Sequence, residues 1–68
     1  MIEIKPGQIW RKKNTRGPDT VRRVTRVTNP LYTPQDVWFY TTSCEWEVCS
    51  LLSSFRRWAQ KATLEVEA

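Results

Sequence analysis

The segment Asp36 to Ser50, DVWFYTTSCEWEVCS, admits one plausible local structure. Val, Trp, Phe, Tyr and Thr suit a pleated, half-buried surface, and neither Gly nor Pro interrupts them, so it reads as two β-strands joined by a tight polar turn. Successive side chains of a strand point to opposite faces, which puts Val37 and Phe39 on one side and Trp38 and Tyr40 on the other. This hairpin is the centre of a small sheet, and the rest of the chain is arranged around it.

With 68 residues there is room for a single domain, residues 1–68, because a second core could not be closed. A core of this size contributes only about 3–5 kcal/mol net, so the eight aromatic residues, four of them Trp, carry much of the burial. The chain has no His, and Cys44 and Cys49 alone cannot complete a tetrahedral metal site, so no metal or other cofactor is expected. The start, MIEIKPGQIW, lacks a basic region followed by a long apolar run. Neither a signal peptide nor a membrane span is expected, and a cytoplasmic location, with both cysteines reduced, follows.

Before the hairpin, Lys5-Pro6-Gly7 predicts a turn and Gln8 to Lys13 a first strand, in which Ile9 and Trp10 point to opposite faces. The polar connection Asn14 to Asp19 leads to Thr20 to Thr28, where Val21, Val24 and Val27 recur every three residues. That spacing suits neither a regular strand nor a good helix. A strand with a bulge near Thr25 reconciles it, because one extra residue lets Val24 and Val27 share a face. Asn29 to Gln35 contains Pro30 and Pro34 and reads as a projecting loop, whose apolar pair Leu31 and Tyr32 most simply folds back on the core.

After the hairpin the period changes. Leu51, Leu52, Phe55, Trp58, Ala59 and Ala62 fall on one face of a three-turn helix that Ser50 is placed to cap. Thr63 to Glu67 alternates again, and its pattern leaves open a last edge strand through Leu64 and Val66 or a frayed end. The expected fold is α+β and mainly β: a small curled, barrel-like antiparallel sheet of four or five strands packed by one C-terminal amphipathic helix.

Catalytic arrangements find little support. Without His there is no Ser-His or Cys-His pair, single glycines at Gly7 and Gly17 make no phosphate loop, and Glu45 and Glu47 share a strand face that reads as solvent, where like charges keep a sheet edge from pairing. An enzyme is not expected. Charge is more informative: residues 1–35 hold eight Lys and Arg against Glu3 and Asp19, a net +6, whereas residues 36–68 carry a net −2. If the first two strands pair, Arg11, Lys12, Lys13, Arg22, Arg23 and Arg26 become neighbours and merge into one positive field, with Trp38 and Tyr40 as stacking groups for unpaired bases. Arg56, Arg57 and Lys61 extend that basic surface onto the helix. The plain alternative is a solvated surface, with Trp38 and Tyr40 covered by the helix or by the curled sheet.

Lys5-Pro6-Gly7-Gln8-Ile9-Trp10, the basic valine-rich strand, Val37-Trp38-Phe39-Tyr40 and Ser50-Leu51-Leu52 with Phe55 resemble short "KPGQxW" phage and prophage proteins of actinobacterial type. The resemblance implies a small barrel related to the Src-homology-3 type and a phage accessory role, acting on something of the host. Two functions follow as expectations. One is nucleic-acid binding through the six cations with Trp38 and Tyr40. The other is protein binding, as an inhibitor or adaptor of a host or defence complex, through an aromatic patch of Tyr32, Trp38 and Trp46.

Overall fold

In a computed structural model that describes residues 2–67, the elements follow as β1 (Ile9–Lys12), β2 (Thr20–Val27), β3 (Asp36–Thr41), β4 (Cys44–Leu51), α1 (Leu52–Ala59) and β5 (Thr63–Val66). All pairings are antiparallel and the strand order is β4-β3-β2-β1-β5. The chain therefore meanders through four strands, crosses by the helix, and returns β5 to pair with β1. This is the mainly β, α+β architecture that the strand and helix periods predict.

Pro6 and Gly7 occupy the central positions of the first turn, with Gly7 at φ +92° and Gln8 N donating to Lys5 O at 3.3 Å. A type II turn needs a positive φ at its third residue, which Gly adopts without steric penalty. In β2 the register breaks between Val24 and Arg26, so Thr25 is the bulged residue. Val24 consequently pairs with Phe39 and Val27 with Val37, which brings the valines onto the core side despite their odd spacing.

Phe55 is fully buried (0 % exposed) and meets Phe39 edge-on, with ring centroids 5.1 Å apart at 64°. Trp10, Val24 and Val37 from the sheet and Leu52 and Ala59 from α1 close the core around this pair. All of it lies on one side of the sheet. The other side carries no helix.

The helix is shorter than its sequence period implies. Ser50 does not cap it: β4 continues through Ser50 and Leu51, which pair with Val37 and Asp36, and Leu51 is the N-cap with no side-chain capping bond. Ladder bonds to β3 hold these residues extended, so exposed Leu51 stays outside the apolar helix face. At the other end Lys61 N donates to Trp58 O and Ala62 N to Ala59 O, both at 3.0 Å. These tighter bonds end the helix and turn the chain into β5.

Leu31 and Tyr32 do not fold back on the core but stand 89 % and 67 % exposed. The loop is braced from within: Asn29 Oδ1 accepts from Leu31 N at 3.0 Å, Gln35 Nε2 donates to Thr28 O at 3.0 Å, and Leu52 N donates to Gln35 O at 3.0 Å. Local bonds satisfy its backbone and leave the tip projecting. Among the described residues, no helix is long and apolar enough to cross a membrane.

Candidate nucleic-acid interface

Consecutive residues of a strand face opposite ways, and this rule divides the basic residues between the two sides of the sheet. Arg23 pairs with Tyr40 and Arg26 with Trp38, both on the helix-free side. Each guanidinium lies over its partner's ring, Arg23 at 5.2 Å from the Tyr40 centroid and Arg26 at 4.6 Å from that of Trp38. The result is two guanidinium–aromatic stacks at neighbouring same-face positions on either side of the inward Val24–Phe39 pair, each contributing about 0.5–1 kcal/mol at an exposed site. Tyr40 is exposed and Trp38 half-buried, and α1 covers neither, since it packs on the Val37 and Phe39 side.

Carboxylates temper the charge of this face. Arg26 Nη2 donates to Glu47 Oε1 at 2.9 Å, and the Thr25 hydroxyl donates to Glu47 Oε2. The bulge turns Thr25 out of the regular ladder toward this carboxylate, so Glu47 is an ion-pair partner rather than a residue that merely keeps a sheet edge from pairing. Arg11 is likewise held by Glu65 and, at 3.5 Å, by Asp19. Arg23 has no carboxylate partner among the described residues.

The expected single field of six cations therefore does not form. Trp10, buried in the core, pairs with Arg22, which puts Arg22 on the helix side with Lys12, while Arg11, Arg23 and Arg26 face away. Lys13 lies exposed just beyond β1. The reason is the alternation itself: Arg22 and Arg23, like Arg11 and Lys12, are adjacent in one strand and cannot share a face. The aromatic patch proposed from Tyr32, Trp38 and Trp46 is also dispersed. Tyr32 belongs to the β2–β3 loop at the start of β3, whereas Trp46, 71 % exposed, follows the β3–β4 turn at its other end.

The Thr25 hydroxyl, and after it Arg26, hold the Glu47 carboxyl below the usual carboxylate range. A depressed folded-state pKa contributes stability above the unfolded-state pKa and loses it as pH falls through the folded value. We expect the stability difference between the native chain and Glu47→Gln to shrink progressively as pH is lowered through the acid range. Urea titrations at several pH values measure it, and a pH-independent difference would remove the carboxylate from this role.

A cleft of about 470 Å³ between the N-terminal arm and β5 is lined by Ile2, Glu3, Lys5, Gln8, Trp10 and Leu64 among others. Its polar groups are engaged with one another: Lys5 Nζ stands 3.7 Å from Glu3, and the Gln8 amide bonds to Glu3, Lys5 and Trp10. No protein-family model, no curated protein and no solved structure matches the chain.

Proposed function

We propose that this protein is a non-enzymatic nucleic-acid-binding module whose interface is the helix-free face of the sheet. One observation carries the reading: Arg23 over Tyr40 and Arg26 over Trp38 form neighbouring stacks on the face that, among the described residues, lies away from α1. Guanidinium groups attract phosphates with release of counterions, and flat rings or guanidinium planes accept unpaired bases. Bases in a duplex are already stacked, so a single strand is the better ligand. Exposed Lys13 at the end of β1 adds charge at the margin. The likeness of the Lys5–Trp10 segment to phage and prophage proteins supports an accessory role in a phage-infected host.

A salt titration of binding to single-stranded and duplex oligonucleotides tests this. Arg23→Ala should flatten the dependence of log K on log salt by about 0.7 for a single strand, one phosphate contact's worth. Tyr40→Ala should weaken single-strand binding by about 1–3 kcal/mol, the contribution of one stacked base. Absence of binding at low salt, or binding indifferent to both substitutions, rejects the proposal. The projecting Leu31 and Tyr32 favour a second reading, docking on a host protein complex. A partner captured from nuclease-treated host lysate and lost on Leu31→Ser with Tyr32→Ser would support it instead.

A further inference from the structure

We infer that the opposite, helix-bearing side of the sheet holds a separate anion site, anchored by Arg22 and completed by Lys12, that takes a phosphoryl oxyanion. The Arg22 guanidinium carbon lies 4.2 Å from the Trp58 ring centroid, 4.7 Å from that of Phe39 and 5.5 Å from that of Phe55. Three rings thus hold the guanidinium between sheet and helix. Its Nε is buried with no hydrogen-bond partner, and among the described residues no carboxylate lies within ion-pair distance. Buried donors are nearly always satisfied, and a half-buried cation without a counter-charge is costly, so the fork-shaped group lacks the acceptor it is built for. Burial pushes this guanidinium's pKa down, in keeping with a positive charge that has lost solvent and gained no anion.

The surroundings specify the acceptor. Arg22 pairs with Trp10 and Thr20 with Lys12, so Lys12 is the diagonal neighbour of Arg22 on the same face. Thr63 pairs with Arg11 at the end of β5, so the ladder leaves Lys12 at the open end of this face, while Lys61 lies exposed in the turn that follows α1. The Thr20 hydroxyl accepts from Asn14 Nδ2 at 2.9 Å and keeps its own proton to donate. Among the described residues, carboxylates are absent from this quarter. Leu52 to Leu64 contains no Asp or Glu, Asp19 and Glu65 are engaged by Arg11 on the other face, and Glu67 lines the cleft at the Gln8 end of β1. Two cations on one face suit a group with more than one charged oxygen, and a planar guanidinium fork matches two oxygens of a phosphoryl group. The group can come from free phosphate or from the backbone of a nucleic acid.

The test follows the Arg22 Nε–Hε resonance by NMR while inorganic phosphate, or an oligonucleotide, is added at constant ionic strength. A saturable shift is expected, and in Arg22→Lys, which keeps charge but loses the fork and the Nε–Hε reporter with it, affinity read from the backbone amides of Thr20 and Lys12 should fall about tenfold. In Arg22→Met, which fills the aromatic niche without charge, binding read from backbone amides of Thr20 and Lys12 should vanish. Lys12→Gln, outside the core, should weaken binding with the fold intact and keeps the measurement decisive if either Arg22 variant fails to fold. Saturation by inorganic phosphate assigns a free phosphate, and saturation by the oligonucleotide alone assigns the backbone. No saturable shift with either probe, or an equal shift with chloride, overturns the site. Because Arg23 and Tyr40 lie on the other face, their variants leave the inorganic-phosphate titration unchanged, so the two interfaces stand or fall separately.

Discussion

Phe55→Ala is expected to leave most molecules unfolded at room temperature. Phe55 is fully buried at the centre of the only helix among the described residues. It packs edge-on against Phe39 and lies 5.5 Å from the Trp58 ring. Truncating a buried Phe to Ala costs about 3–5 kcal/mol through lost transfer energy and the cavity left behind. A single core in a chain this short supplies about as much in total. The loss also removes one wall of the niche that holds Arg22, leaving its charge against a void. Urea denaturation followed by tryptophan fluorescence measures the effect, with Ser53→Ala on the exposed helix face as control. A loss below about 1 kcal/mol would mean that β3 and α1 close over the gap and that the core is not organised around this ring.

Much of the architecture is legible because two signals point the same way. The alternation of Val37, Trp38, Phe39 and Tyr40 gives both the central strand and its facing, and the three-residue spacing of Val24 and Val27 locates the bulge at Thr25. Where one signal meets a competing one, it fails. The helix period includes Leu51, yet ladder bonds to β3 keep Ser50 and Leu51 in β4, and an apolar pattern alone cannot weigh strand pairing against helix extension. Leu31 and Tyr32 look like core residues by type, but local bonds of the loop complete its backbone and hold the tip outward. The cation surface fails for a plainer reason, since closeness in sequence was read as closeness in space. Arg23 and Arg26 share a face only because the bulge adds a residue between them, and the same bulge brings Glu47 to Thr25 and Arg26. Charge asymmetry along the chain therefore says little about charge asymmetry across the sheet. Of the eight residues proposed for nucleic acid, the fold gathers Arg23, Arg26, Trp38 and Tyr40 into one ladder and removes Arg22 to the other side.

Gln8→Leu is expected to destabilise the protein by about 2–4 kcal/mol although it removes no charge and changes little volume. Gln8 is 4 % exposed and is a buried polar side chain in the midst of an apolar core. Its Oε1 accepts from Lys5 N at 2.9 Å and from Trp10 Nε1 at 3.1 Å, and its Nε2 donates to Glu3 O at 3.1 Å. One amide thus ties the type II turn, the N-terminal arm and the buried indole together. Leu at this position strands two donors and one acceptor, and each buried group left unpaired costs about 1–3 kcal/mol, less where water can reach it. The spacing explains itself, because residues 8 and 10 of an extended segment point to the same side, so the amide meets the indole without any backbone adjustment. The Lys5–Trp10 stretch is therefore a folding unit: Pro6 and Gly7 make the turn, Gln8 fastens it, and Trp10 seals it into the core. Urea denaturation together with hydrogen exchange at the Trp10 indole N–H measures both parts of the effect. Gln8→Leu should lower the midpoint and strip the indole of protection while leaving oligonucleotide binding per folded molecule unchanged. Wild-type stability in that variant would show that water replaces the amide at no cost, and a selective loss of binding would move the interface from the helix-free face to the N-terminal arm.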